Sequence, residues 1–293
     1  MKTAADSSDA APDQDAAAGG LADGAEGLES VSWAAATDTG RFRKDNEDAF
    51  ILFTCGQGEL VLLGKSGEGA LDERDYVFAV SDGMGGANLG ERASRMVVEE
   101  LKILVPRAYQ AGVSGFRPDY LGVLGQAIDR THAKIQVEAQ AYSESSGMGA
   151  TLTLVWLNST ALHFAHIGDS RLYYLHEGQC RQLSHDHTRP GQMQRDGRIN
   201  ERQAKNHPQR NILHQALGAG NRAVEPQLGT VLIHPGDRFL LCSDGLTDGL
   251  WDRRLGQLIA QDKDCGGILA DMMRESLFQS ARDNTTAIVF ELR

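Results

Sequence analysis

The sequence predicts an α+β layered domain, sheets covered by helices, on three observations. Six short runs of β-branched, aromatic and leucine residues are bounded by turn formers, as strands are. Two of these runs are joined through Asn158 and Ser159, a hairpin junction that makes part of the sheet antiparallel. Stretches with helical spacing fall between groups of strands instead of alternating with single ones, which argues against a strict βαβ repeat.

The first strand in chain order is "DYVFAVSD", residues 75–82. A helix follows, placing Ala93, Met96, Val97, Leu101 and Leu104 at helical spacing, and it is expected to end before Pro106. A second helix puts Leu121, Leu124, Ile128 and Ile135 on one face. The runs "ATLTLVWL", "ALHFAHIG" and "SRLYYLHEG" then read as three strands, and "DRFLLCSD" and "TTAIVFEL" as two more around the helical "GGILADMMRESLFQSA". Two segments show no strand pattern, "GEGALDERDY" and residues 184–211. The second is polar, dense in charge and long enough to be a functional loop, so a flap over a site is expected there.

Residues 1–30 are a low-complexity Ala/Asp/Gly/Ser stretch with almost no large apolar side chain, expected to be a disordered acidic tail. Residues 31–293 contain no Pro- or Ser-rich linker and are expected to form a single domain. The tail holds five Asp and two Glu against one Lys, so −6 of the chain's formal charge of −11 lies there and −5 in the body. That balance argues against nucleic acid, whose phosphates need a basic surface. No apolar run approaches the ~20 residues that span a bilayer, and the N-terminus lacks a secretory pattern, so no membrane association and a cytoplasmic location are expected. Cys55, Cys180, Cys242 and Cys265 form no CxxC pair and signal neither a zinc site nor a disulfide framework.

Three runs end on an acid: "FAVSDG" on Asp82, "FAHIGDS" on Asp169 and "FLLCSDG" on Asp244. Strand ends hold side chains rigidly, so such acids could converge on one rim of a sheet. "RKDNEDAF" adds Asp45, Glu47 and Asp48, and Asp283 precedes the final strand. Clustered carboxylates raise one another's pKa unless a cation neutralises them. Oxygen donors without His or Cys spacing favour Mg²⁺ or Mn²⁺ over zinc. Gly83, Gly85 and Gly86, lacking a Cβ, are expected to permit positive φ and close approach of backbone carbonyls. Taken singly, each Asp-Gly is an ordinary turn, and Asp169 could equally hold a loop by hydrogen bonds to backbone N–H groups.

In this order, "RKDNEDAF", "VSDGMGGANLGERAS", "GMGATLT", "HIGDSRLYYL", "HPQRNILHQALG", "GDRFLLCSDGLTDGLWD" and "RDNTTAIV" resemble the bacterial metal-dependent serine/threonine phosphatases of the protein phosphatase 2C type. The resemblance runs from about residue 36 to 291. It implies a four-layer αββα sandwich, two central antiparallel sheets flanked by helices, with two Mn²⁺ or Mg²⁺ ions at one end. Carried over by position, Asp82 would bridge both ions and the Gly83 carbonyl would complete one shell. Asp244 and Asp283 would hold the second ion, while Glu47 and Asp48 would act through metal-bound water. Arg43 would bind the substrate phosphate, and Asp169, Ser170 and Arg171 would be structural support. The implied activity is hydrolysis of phosphoserine and phosphothreonine on phosphorylated proteins, opposing a cognate serine/threonine kinase and its targets. A pseudophosphatase that binds or scaffolds is the alternative.

The sequence departs from the family pattern at two places. Met84 occupies the position of a histidine that eukaryotic members use as general acid, and His185, His187 and His207 are read as surface residues. Where many bacterial members place an Asp for a third metal, "SESSG" has Ser143, Glu144, Ser145 and Ser146, which leaves the third metal open; Asp186 or Asp196 of the flap could give it one ligand.

Overall fold

The computed structural model describes residues 28–56, 59–72, 74–85, 89–113, 119–141 and 147–293. Order reaches back into the stretch expected to be tail: the Glu29 N–H donates to the Arg293 carbonyl at 2.7 Å. Ser143, Glu144, Ser145, Ser146 and Gly86 lie outside the described residues.

Two antiparallel sheets form the centre. In the first the neighbours are β10 (Gln179–Gln182), β9 (Arg171–His176), β13 (Arg238–Cys242), β14 (Thr285–Leu292), β1 (Ser30–Asp38) and β4 (Ser66–Ala70). The second runs β3 (Glu59–Leu62), β2 (Asp48–Gly56), β5 (Asp75–Met84), β7 (Leu152–Leu157), β8 (Ala161–Ile167) and β12 (Gln227–Leu232). β6 (Gly149–Ala150) pairs with the far end of β5, and β11 (Leu217–Gly218) pairs with β6. Helices α1 (Leu89–Val113) and α2 (Tyr120–Ala141) cover the second sheet. Helices α5 (Asp244–Gly249), α6 (Asp252–Ile259) and α7 (Cys265–Gln279) cover the first.

The strand patterns explain these layers. In β14, Ile288, Phe290 and Leu292 enter the core between the sheets, whereas Ala287 and Val289 pack under the helices. β5 divides likewise, Tyr76, Phe78 and Val80 facing the other sheet and Val77 and Ala79 facing α1. A strand covered on both sides reads as an unbroken apolar run, which is why these two were plain in the sequence. Phe78 and Phe290 stack across the sheets at 4.7 Å between centroids. Truncating either ring to Ala would cost about 3–5 kcal/mol. The expected αββα sandwich is the fold of this chain.

Three expectations are corrected. α1 does not stop before Pro106 but continues through it to Val113. The proline forfeits one backbone hydrogen bond, and burial of Leu101, Leu104 and Val105 against the sheet carries the helix across. "GEGALDERDY" does contain strand: β4 lies beside β1, with Gly67 opposite Trp33. A Cβ at Gly67 would fall 2.5 Å from the indole, so close packing demanded glycines that hid the strand pattern. Residues 184–211 are not featureless either. They fold into α3 (Arg189–Arg195), capped by Thr188, and α4 (Glu201–Lys205), closed by a capping box of Asn200 and Gln203.

Candidate metal centre

The antiparallel register brings one kind of strand end to one rim. β13 and β1 finish there and β14 and β9 start there; in the other sheet β5 and β8 finish and β2 and β7 start. At this rim Asp82 lies near the end of β5 and Asp48 opens β2, Asp169 and Asp244 follow the last residues of β8 and β13 by two positions, and Asp283 precedes β14 by two. Asp48 is registered directly opposite Asp82.

Asp82 sits at the centre of the group. Its carboxyl is pushed well above the ordinary range, first by desolvation, then by the charges of Asp48, Asp244, Asp169 and Asp283. Asp244 is raised for the same reasons, desolvation leading and Asp169, Asp248, Asp283 and Asp48 following. Burial lifts Asp169 to about 7 and Asp48 to about 6, the latter against hydrogen bonds from Thr286 and Ser243. The Asp48 Oδ1 and Asp244 Oδ1 are buried and accept no hydrogen bond. A buried anionic oxygen without a donor is costly, and several around one point are tolerable when a cation stands among them. The donor set is all oxygen, so the residues fit hard divalent ions.

The backbone around the acids is tightly stitched. Asp82 N–H donates to Thr151 Oγ1 at 2.9 Å, Thr151 N–H returns to the Asp82 carbonyl at 2.8 Å, and the Thr151 and Ser170 hydroxyls are 2.7 Å apart. Gly83 N–H donates to the Glu47 carbonyl at 3.1 Å. Gly83 is buried in ordinary extended backbone, which corrects the expectation of positive φ there; among the two described glycines after Asp82, Gly85 alone has it, at +128°. Space is what Gly83 provides, since a Cβ would lie 2.0 Å from the Gly90 carbonyl oxygen.

Arg43 stands on the rim, its side chain 47% exposed. Its Nη2 donates to Asp283 Oδ2 at 2.7 Å, and its Nη1 lies 3.7 Å from Glu47 Oε2. Glu47 is raised by burial, an effect the Arg43 charge opposes. Asp45 is exposed at the turn.

Asn284 and Ser243 position the site, and both were missed in the sequence reading. Asn284 Nδ2 donates to the carbonyls of Thr39 at 2.9 Å and Asp45 at 3.0 Å, and its Oδ1 accepts from Glu47 N–H at 2.8 Å. It therefore ties the loop carrying Arg43 and Glu47 to the strand after Asp283. A signal existed in "RDN", but an Asn beside an Asp is common in turns. Ser243 Oγ donates to Asp48 Oδ2 at 2.7 Å and accepts from Thr286 N–H at 2.9 Å. The serine of the other "SDG", Ser81, instead donates to the Thr151 carbonyl at 2.7 Å.

The flap docks beside the acids. Lys205 Nζ donates to the Thr247 and Leu250 carbonyls at 2.6 Å each, and Arg210 pairs with Asp248 at 2.9 Å. Between flap and α5 lies a cleft lined by Asp169, Asp244, Asp248, Lys205, Arg210 and Asn211. Asp186 is committed elsewhere: Arg171 Nε and Nη2 bind its two oxygens at 2.9 and 2.6 Å. Burial would raise that carboxyl, but the Arg171 charge and hydrogen bonds hold it below the usual range. His187 is not a surface residue as expected. It is buried, its Nδ1 accepting from Gly168 N–H at 3.0 Å, because the flap folds back over the end of β8. His185 is exposed and His207 half-buried. Met84 pairs with Gly149 at the β5 end, and its thioether has no proton to give.

The layered sandwich carries at one end a rim of desolvated carboxylates with the donor set of a hard-metal centre. The chain belongs to the protein phosphatase 2C family, whose model matches residues 66–275. It is 33% identical over 218 residues to a protein phosphatase 2C-type protein of Streptococcus pyogenes, covering 72% of this chain and 77% of that one. It is 30% identical over 264 residues to the serine/threonine protein phosphatase PstP of Mycobacterium tuberculosis, covering 89% of this chain; the match spans only 45% of that longer protein. The solved catalytic domain of PstP in complex with two manganese ions superposes with a TM-score of 0.72 at 28% identity, over 90% of this chain and 99% of that one. No helix among the described residues is long and apolar enough to cross a membrane.

Proposed function

We propose that this chain hydrolyses phosphoserine and phosphothreonine on phosphorylated proteins, using two Mn²⁺ or Mg²⁺ ions held by Asp82, the Gly83 carbonyl, Asp244 and Asp283. The carrying observation is the convergence of five aspartates on one rim, two of them with buried oxygens that no protein donor reaches. The named activity of the relatives and the manganese complex of the PstP domain support the reading.

Such ions supply charge neutralisation and an activated water for attack on phosphorus. The chain's own residues do the rest. Asp48, opposite Asp82, and Glu47, whose carbonyl accepts from Gly83 N–H, would bind the ions' water shells, Asp48 fixed by Ser243 and the Glu47 backbone by Asn284. Arg43 presents a planar fork at the rim, suited to two phosphate oxygens and to the charge that grows on them. Its bond to Asp283 aims that fork at the carboxylate group, which answers how an acidic body receives an anionic substrate. Met84 stands where eukaryotic members have a histidine and carries no proton, so the leaving group takes its proton from water or another group.

In the cell the proposed setting is the cytoplasm, opposing a serine/threonine kinase and its targets. The test is Mn²⁺-dependent phosphate release from a phosphothreonine peptide, with Asp82→Asn beside the native protein. Release that vanishes in the variant is expected. Equal rates would sink the two-ion assignment, and none in either protein would favour a binding or scaffolding role.

A further inference from the structure

A second cluster of ligating side chains lies at the opposite end of the first sheet. The five residues of β13 separate it from Asp244, roughly 16 Å of strand at about 3.3 Å per residue. The segment His234, Pro235, Gly236, Asp237 turns between β12 and β13. The Asp237 N–H donates to the His234 carbonyl at 3.1 Å and Gly236 has φ +86°, a type II turn with proline and glycine at the positions that favour them. This turn holds the first and fourth residues together. His176, the last residue of neighbouring β9, completes a triangle: its Nδ1 is 2.8 Å from Asp237 Oδ1, and His234 Nδ1 is 3.6 Å from Asp237 Oδ2. The three ligand atoms lie within 4.8 Å of one another.

Two details distinguish this group from an ordinary ion pair. Asp237, 2% exposed, has its Oδ2 held by Tyr174 OH and by His234 N–H, both at 2.9 Å, which leaves Oδ1 turned toward His176. A carboxylate oriented by an outer hydroxyl is the supporting shell that metal ligands need. The His234 Nδ1, by contrast, is buried and makes no hydrogen bond at all. The imidazoles stand 4.8 Å apart between centroids, and both histidines are partly exposed, at 37% and 40%, beside a surface depression through which an ion can enter.

We propose that His176 Nδ1, His234 Nδ1 and Asp237 Oδ1 bind a Zn²⁺ ion, with solvent in the fourth position. Two imidazoles and one carboxylate bind zinc more tightly than the Mn²⁺ or Mg²⁺ expected at the aspartate rim. On binding, His176 Nδ1 exchanges its hydrogen bond to Asp237 Oδ1 for the ion, and the neutral imidazole carries its one proton on Nε2. The cysteines take no part: Cys55, Cys242 and Cys265 are buried, and Cys180 packs on the helix side of the sheet beside Gly256.

The test is titration of the full chain with Zn²⁺ under excess Mg²⁺, which occupies the aspartate rim, read by calorimetry and by the visible absorption of Co²⁺ as a substitute. One tight site with tetrahedral Co²⁺ bands is expected, lost in the His176→Gln/His234→Gln double variant and kept in Asp82→Asn. His234→Gln alone provides a second check, because its ring nitrogen makes no hydrogen bond in the fold; its melting temperature should be unchanged while Zn²⁺ affinity falls at least about 10-fold. Zinc bound equally by the His234 variant, or no zinc bound by the native chain, overturns the proposal. Asp82→Asn losing the tight Zn²⁺ site would overturn it too, by placing zinc at the rim.

Discussion

Ser243 and Asp48 stand 195 residues apart in the chain and at the ends of strands in different sheets, yet the Ser243 hydroxyl donates to the Asp48 carboxylate at 2.7 Å. The same hydroxyl accepts the Thr286 N–H at 2.9 Å, so one side chain joins both sheets at the rim. Replacing it by Ala removes one of the two hydrogen bonds to the Asp48 carboxylate and leaves the buried Thr286 N–H without its partner. Ser243→Ala should therefore lose about 1–3 kcal/mol in urea denaturation. Because Asp48 is then held by Thr286 alone, the Mn²⁺ concentration needed for half-maximal activity should rise as well.

Arg43 spends its charge on Asp283 in this structure, at 2.7 Å, while remaining half exposed to an incoming substrate. Arg43→Ala should lower kcat/KM for a phosphothreonine peptide by about 10²-fold, the usual cost of one transition-state donor. Arg43→Lys should recover part of it, since a point charge cannot reproduce a bidentate fork. Mn²⁺ binding should persist in both variants by calorimetry, and its loss would mean that the arginine organises the ligands instead.

Asn284 makes three hydrogen bonds to the loop that bears Arg43 and Glu47. Asn284→Ala should destabilise the protein by about 1–3 kcal/mol and weaken Mn²⁺ binding, although the residue is not proposed as a ligand. Asn284→Asp should do worse at neutral pH. Its carboxylate can still accept from Glu47 N–H but cannot donate to the Thr39 and Asp45 carbonyls, which calorimetric melting would report.

His166 and His187 give the fold a pH dependence remote from the proposed ligands. Burial lowers His166 to about 4 and His187 to about 3, the latter helped by the charges of His166, His214 and Arg195. His166 Nε2 faces the Gly168 and His185 carbonyls at 3.1 Å and so carries the proton, leaving Nδ1 to accept from Thr153. Both imidazoles are neutral when folded, whereas the unfolded chain takes up their protons near pH 6.5. Stability is complete above that value and declines as pH falls toward 4, by about 1 kcal/mol per histidine between pH 7 and 5.5. His187→Gln should be less stable than the native protein at pH 7 but lose about 1 kcal/mol less over that interval in urea denaturation. The carboxylates contribute equally to both proteins and cancel in the difference, so identical slopes would refute the assignment.

Much of the layered fold was visible because β5, β13 and β14 are covered on both faces and therefore read as apolar runs. β1 and β4 were not, since alanines and glycines there make room for Trp33 and Tyr76, and small residues carry no strand signature. β12 was missed as an edge strand whose burial alternates. The flap was expected, but its helices escaped notice because they are five and seven residues long, held by caps and docking more than by an apolar stripe.

Residue type and order along the chain pointed to the chemistry: acids at strand ends and oxygen donors without histidine signal a hard-metal centre, and the ordered motifs that resemble the phosphatase family imply that Arg43 binds the substrate phosphate. Local patterning carries such information because each strand end is set by its own few residues. Which groups hold the acids in place was settled by folding. The bonds from Ser243 to Asp48, from Asn284 to the Arg43 loop, and from Asp237 to His176 join residues 61 to 239 positions apart. No periodicity links such partners, because they meet only when antiparallel registers bring distant strand ends to the same rim.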